Sequence, residues 1–505
     1  MKKCIDEKAV QRIRRQIVRK PILDRRNTSE TLVSHDLPPL PAGARPMRDS
    51  ASHEPAPTAP KKSPEEMPSI NVTEYEEGRI LQRRGTSADV LVSGTYIGVP
   101  VAVEARVVKN DTSEQVVPWI VVDTSPENGI FMGMLDGVPQ GGWYDFQVRF
   151  VNDHNVIDHG LHKWGVGILI ACIGQSNMKE WFHTGTDLEA HPLLFRYANK
   201  KWLGLGKKGN GAIAFGNRLI NRLGLPVGLI DYSVNGSGLR KEADWRMGYW
   251  EDLAENSIYN RFLAGVSAAG GFLEFVIWMQ GEADAARGTV SEVEYSTSLE
   301  RFVTKQVRAD IGNGSGRKNL PFLIVMMIKR PGGEDGPNQA IRNAQKDVAQ
   351  NVADCYLAAT TLDLKNQGTQ HLTHRAYTNL GFRVAQTVLF ILGKEEYYRG
   401  PSVVGVTQID TKNIDVAIRH RGGTDFTPAS GISGWEVVTE DLPAFVSEVI
   451  RHDAQTIRIT LKDPITGPAH VRYLHGAMPD TANPVRDNSP LSLPLEEYEQ
   501  KQPGN

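Results

Sequence analysis

Four short segments carry the residue types that acyl transfer needs. Gly174-Gln175-Ser176-Asn177-Met178 sets a serine, flanked by glycine and small polar residues, directly after an apolar run. A hydroxyl nucleophile in that setting stands exposed at the edge of a sheet. Asn235-Gly236-Ser237-Gly238 follows a second apolar run, and glycine there lets a backbone N–H approach a ligand closely. A third run ends in Trp278-Met279-Gln280-Gly281-Glu282-Ala283-Asp284, and a fifth is followed by His371-Leu372-Thr373. Serine, glycine, glutamine and histidine, each just past an apolar run, are the components of nucleophilic acyl transfer.

The runs themselves are Val166–Cys172, Val227–Tyr232, Phe272–Met279, Pro321–Ile328 and Cys355–Thr360. Helix-like stretches lie between and after them: Ala212–Leu223, Val293–Ile311, Asn338–Val352 and Arg375–Leu392. Buried strands alternating with helices predict a parallel α/β sheet covered on both faces, with ligands bound beyond the carboxyl ends of its strands. This domain spans residues 166–398. Residues 71–165 read as short strands with turn signals at Asp136-Gly137 and Gly141-Gly142, a small β-sandwich by pattern. Strand patterns return over 399–505 at Ile414–Ile418, Ala444–Val449, Thr456–Leu461 and His470–Leu474, which predicts a second sandwich and a tail. Residues 1–70 divide into a basic segment and a linker rich in Pro, Ala and Ser, with too few large apolar residues to offset chain entropy. The basic segment reads either as a disordered, solvated arm or as an anchor that docks onto something larger.

Composition removes several classes of function. The chain has 505 residues, 40% hydrophobic and 23% charged, with 57 Lys+Arg against 59 Asp+Glu. Near-neutral charge gives no electrostatic case for nucleic acid. Cys4, Cys172 and Cys355 are too few and too scattered for a disulfide framework or a cysteine zinc site. No apolar run reaches the roughly 18 residues of a membrane span, and the basic start lacks the apolar stretch of a secretory signal.

The same blocks resemble the SGNH hydrolases, specifically the sialate O-acetylesterase and acetylxylan-esterase-like branch. The resemblance rests on Gly174–Met178, Trp278–Asp284 and His371-Leu372-Thr373. Ala214–Leu219 with Pro226–Ile230 and Pro484–Pro490 support it less sharply. It covers roughly residues 75–495 and implies a five-stranded, flavodoxin-like parallel core between the two β-sandwiches. It also implies roles: Ser176 as nucleophile and His371 as general base and then acid. The oxyanion hole would comprise the N–H groups of Ser176 and Gly236 and the side-chain amide of Gln280, with Gly238 as fallback for Gly236. Such donors are each worth about 2.7–4 kcal/mol in the transition state. No metal or cofactor is implied. The family usually places an aspartate three residues before the histidine, where this chain has Gly368. Three readings stay open: a carbonyl near Gly368 holds the imidazole of a Ser–His dyad, Glu282 reaches in, or Asp363 does.

Plainer readings stand beside these. Ser176 is also a candidate N-cap, and His374 competes with His371. Asp284 reads as an acceptor for backbone donors in a buried turn. Arg240 and Trp245 read equally as packing or as contacts to a sugar carboxylate and ring. Gly204–Gly209 matches G-x-G-x-x-G, but a dinucleotide site requires a strand before it, and Arg196–Leu203 is polar and cationic. His154, His159 and His162 lack a metal-ligand spacing and read as surface residues.

The expected substrate is an acetylated carbohydrate, a polysaccharide or a sialic-acid-like unit. A basic segment and Pro-rich tether without a signal fit a bacteriophage tail-spike sugar deacetylase, docked to virion tail or baseplate proteins and oligomeric, by analogy a trimer. The alternative setting is a cytoplasmic enzyme acting on imported sugars. The rival from another class is a non-catalytic carbohydrate-binding protein, an adhesin or structural virion component, on the same scaffold.

Overall fold

Every residue of the strand Trp164–Gly174 (β1) is buried, because alternate side chains feed two separate cores. Leu169, Ala171 and Ile173 pack into one apolar cluster, and Ile168, Ile170 and Cys172 into the other. That is the two-residue period of a strand with both faces covered. The computed structural model describes residues 67–73, 75–185, 187–439 and 442–500. The basic segment and nearly all of the Pro-rich linker lie outside the described residues.

Around β1 run Leu194–Ala198 (β2), Val227–Ser233 (β3), Phe275–Met279 (β4), Phe322–Val325 (β5) and Cys355–Ala359 (β6). Their order is β2-β3-β1-β4-β5-β6, with every neighbouring pair parallel. The expectation of five strands is therefore one short. β2 carries Arg196 at its centre and buries only part of its length, so it shows no continuous apolar run; as the outermost parallel strand it does not demand one. Lys201–Gly204 folds back antiparallel on β2. A strand thus does precede Gly204–Gly209, against expectation, but it is an antiparallel edge strand rather than the parallel strand of a dinucleotide-binding unit. The run Phe272–Met279 is also split, since Phe272–Leu273 leaves to pair with Gly312–Asn313.

The helices Ser176–His183 (α1), Asn210–Leu223 (α2), Ile258–Ala268 (α3), Glu282–Arg287 (α4), Glu292–Arg301 (α5), Asp335–Asn351 (α6) and His374–Ile391 (α7) flank the sheet. α1, α2 and α7 supply Met178, Phe215 and Tyr377 to one core, while α3, α5 and α6 supply Phe262, Tyr295 and Ile341 to the other. The single helix expected over Val293–Ile311 is interrupted by a wide turn at Phe302–Val307, an i→i+5 insertion that periodicity does not reveal.

The expected boundary between 165 and 166 falls inside β1. Its first residues pair with Arg79–Gln82 and with Gly141–Phe150, so the N-terminal β region is continuous with the large sheet instead of closing separately. Ser69–Val72, Ser87–Ile97 and Ile130–Pro139 form its second sheet. Phe146 and Trp164 stack between the two at 4.6 Å. The C-terminal region holds two four-stranded antiparallel sheets. It is tied to the α/β part by the buried Arg342–Glu497 pair at 3.0 Å and by Arg486–Asp363 at 2.6 Å. The whole is a strand-rich mixed α/β protein.

Candidate active site

β1 ends at Gly174, whose φ of 139° and position against β4 admit no side chain: a Cβ would lie 2.0 Å from the Met279 carbonyl oxygen. The chain then turns directly into α1, with Ser176 as its first residue. Gln175 at the N-cap does not cap its own helix. Its Oε1 instead accepts from the N–H groups of Gly281 (3.4 Å) and Ala283 (3.2 Å) at the start of α4, where helix donors lack internal partners. The first and third blocks thus lock together. Ser176 is buried, 8% exposed, and its N–H has no acceptor among the described residues. It does not act as an N-cap, because Gln175 occupies that position.

Asn177 joins three blocks. Its Nδ2 donates to Glu282 Oε1 at 2.8 Å and to the Gln370 carbonyl at 3.1 Å, and its Oδ1 accepts from the Tyr377 hydroxyl at 2.7 Å. Fully buried, it uses all but one of its side-chain bonding positions. The residue after Ser176 is therefore bonded to the residue before His371. Asn177 stands in the serine block and Tyr377 in the helical stretch Arg375–Leu392, and no local pattern gives either a role. The available signal was a tyrosine hydroxyl on the buried face of an amphipathic helix, which needs a polar partner.

Gly236 adopts φ 67°, the left-handed region that favours glycine, and its N–H also lacks an acceptor among the described residues. Gly238 is more constrained: a Cβ there would meet Ala243 Cβ at 2.6 Å. Gln280 is 1% exposed. Its Oε1 accepts from the Tyr295 hydroxyl at 2.7 Å, while its Nε2 lies 2.5 Å from Asp284 Oδ2 and 3.1 Å from the Ser237 carbonyl. Both amide hydrogens therefore have acceptors, and in this arrangement Gln280 fixes Ser237 beside Gly236 and offers no free donor. Asp284 also accepts from the N–H groups of Leu239 (3.0 Å) and Arg240 (3.4 Å). Burial pushes its carboxyl up to about 6.

His371 sits in a loop closed by its carbonyl to Gln367 N–H (2.9 Å) and by Thr369 Oγ1 to its own N–H (3.2 Å). Its Nε2 is buried without a hydrogen-bond partner, and no carboxylate pairs with the ring among the described residues. The three candidates for orienting it are placed differently. Asp363 is held bidentate by Arg383 (2.7 Å to each oxygen) and by Arg486 (2.6 Å). Those guanidinium groups hold it below the usual carboxylate range against its burial. It serves as an anchor for α7 and the C-terminal region. Glu282 reaches the histidine loop only through Asn177; burial raises its carboxyl, and its Oε2 is buried with no partner. Gly368 adopts φ 80° with open space around it, which lets the loop turn toward His371.

The remaining candidates divide. His374 begins α7, exposed, with its carbonyl accepting from Asn210. Arg240 is engaged by Glu242, Glu294 and Ser298, a packing role. Trp245 is 45% exposed, anchored to the Ala283 carbonyl at 3.3 Å, with Arg287 4.0 Å from its ring centre. It presents an aromatic surface beside the third block. His154 is exposed near Glu104.

Residues 166–390 match the family model described as "Carbohydrate esterase, sialic acid-specific acetylesterase". The matched stretch is the parallel sheet with its helices, including all four blocks. Among solved structures, a carbohydrate acetylesterase from Xanthomonas citri aligns with a TM-score of 0.60 at 20% identity, covering 85% of this chain and 98% of that one. That likeness establishes a shared fold. The N-terminal part of the bacterial S-layer protein SbsC (14% identity, 43% and 39% covered, TM-score 0.16) and a β-D-mannosidase from Dictyoglomus thermophilum (10%, 85% and 67%, 0.21) are too dissimilar to inform it. No curated protein matches the chain.

Proposed function

We propose that the protein is a carbohydrate O-acetylesterase working through a serine acetyl-enzyme on a five-stranded, flavodoxin-like SGNH core extended by β2. The observation that carries this reading is the Asn177 junction, which ties the serine block to the histidine loop. Ser176 Oγ attacks the acetyl carbonyl carbon as His371 Nε2 takes its proton. The N–H groups of Ser176 and Gly236 receive the oxyanion. The tetrahedral intermediate collapses as His371 returns the proton to the departing sugar oxygen. Water, deprotonated by the same imidazole, then attacks the acetyl carbon, and His371 returns that proton to Ser176 Oγ as acetate leaves. His371 works here as a dyad with Ser176, its loop positioned through Asn177 in place of an aspartate. Gln280 joins the oxyanion hole once an amide hydrogen turns from Ser237 or Asp284 toward the substrate.

A second reading is favoured by one observation: both Gln280 amide hydrogens already have acceptors. On that reading the scaffold binds acetylated glycan without turnover. Free acetate measured after incubation with acetylated polysaccharides separates the two. Release by the wild type and not by Ser176→Ala supports the esterase, and binding without release supports the rival. The proposed virion setting, with the chain in a phage tail, rests on the basic and Pro-rich opening alone. Detection in purified virions tests it, and recovery only from host lysate contradicts it.

A further inference from the structure

Beside the serine block, at the carboxyl ends of β2 and β3, lies a cavity of about 1070 Å³. Its charged lining is unbalanced: Lys179, Arg196, Lys200 and Arg261 stand against Glu76 and Asp231. The two acids are already engaged. Glu76 accepts from the Trp202 N–H at 3.2 Å, and Asp231 pairs with Arg196 at 3.4 Å. Among the described residues Lys179 makes no ion pair and feels only the charge of Asp231, which Arg196 already pairs, and Lys200 has no carboxylate partner. Arg261 uses Nε on the Tyr232 hydroxyl (3.0 Å) and Nη1 on the Asn256 carbonyl (2.6 Å), which fixes its guanidinium without neutralising it.

The cavity and the nucleophile share the helix α1, which lends Lys179 and His183 to the cavity wall. Ser176, Lys179 and His183 occupy positions i, i+3 and i+7 of α1, a single stripe. At the rise of an α-helix, Lys179 lies about 5 Å along the axis from Ser176, within reach of the next ring of a glycan whose ester enters the site. Tyr232 adds an aromatic wall beside the fixed Arg261. A neutral sugar gives these cations no counter-charge. A carboxylate on the sugar gives charge-assisted hydrogen bonds to groups already held in place.

We infer that this cavity is a subsite for a carboxylate-bearing sugar residue, adjoining the acetylated residue presented to Ser176; the second half of that statement rests on the esterase reading, the first does not. Two sources supply such a group, a uronate and a sialate. The test is titration calorimetry on the full chain with trigalacturonate, an α2,8-linked sialic acid trimer and neutral xylotriose. At least one acidic trimer binds about tenfold or more tightly than xylotriose, and which one does so identifies the source. Lys200→Glu, at an exposed turn, and Arg261→Gln each remove most of that preference while p-nitrophenyl acetate hydrolysis is unchanged. Should Arg261→Gln fold poorly, Lys200→Glu carries the test. Equal binding of all three trimers, or a preference that survives Lys200→Glu, overturns the subsite and leaves the esterase reading standing. An inert protein that keeps the acidic preference does the reverse.

Discussion

Asn177 Nδ2 lies 2.8 Å from Glu282 Oε1 and, by its second hydrogen, 3.1 Å from the Gln370 carbonyl. One buried amide therefore sets the distance between the serine helix and the histidine loop. Asn177→Ala is expected to lower kcat by about a hundredfold, because small displacements of a reacting pair are costly, with KM little changed. Tyr377→Phe removes the acceptor-side bond and should show a milder loss of the same kind. Steady-state kinetics on p-nitrophenyl acetate, with melting curves as a control for folding, check both. An effect confined to KM would argue that Asn177 binds substrate and does not position the base.

Gly174→Ala tests the other end of the same block. The φ of 139° and the 2.0 Å approach to the Met279 carbonyl oxygen combine backbone strain with a clash against rigid backbone. A loss of about 3 kcal/mol is expected, read as a lower urea midpoint. A variant as stable as the wild type would mean that β1 and β4 can separate at their ends.

Much of this arrangement was legible in the sequence because buried parallel strands are continuous apolar runs. β1, β3, β4, β5 and β6 each gave one, and the polar blocks after them fell where strand ends put ligand-facing residues. β2 was invisible, since this outermost of the parallel strands, half-buried and with Arg196 at its centre, shows no such run. The link across residues 165 and 166 was missed for a related reason: a change of pattern marks new neighbours, not a break in the strand. Asp363 was one of three readings for the group that orients His371. Its arginine partners, Arg383 and Arg486, lie 20 and 123 positions away, and no local spacing reveals such a pairing. Asn177 stood in the quoted motif, but its partners lie 105, 193 and 200 positions on.

Asp363→Asn separates structure from catalysis. Removing the charge leaves Arg383, 5% exposed at its side chain, without its bidentate partner, and breaking a buried pair in this way costs about 3–5 kcal/mol. Stability should fall by that order while kcat, measured below the melting transition, stays near wild type. A collapse of kcat in a fully folded variant would restore Asp363 as the group that orients His371.

Stability should also depend on pH in a particular direction. Burial raises Asp231 and Asp284 from an ordinary 3.8 to about 6, so the folded state holds more protons than the unfolded state between those values. Their contribution therefore weakens as pH rises through that window and is at its lowest above it. Asp363 and Glu497, held down by arginine and lysine partners, act oppositely. Their contribution is present above the ordinary carboxylate range and is lost as pH falls through their depressed values. Urea unfolding across pH should show a maximum near pH ~4, at the ordinary carboxylate range, and a decline from there to about 6, and Asp231→Asn should flatten that decline. A curve rising steadily to neutral pH would contradict this.

The esterase reading stands or falls most directly on Ser176. Purified wild type and Ser176→Ala should be compared on p-nitrophenyl acetate and p-nitrophenyl butyrate. A strong preference for acetate, with a loss of about a thousandfold or more in the variant, is the expected result. Equal hydrolysis by both proteins would place the nucleophile on another residue and contradict the site described above.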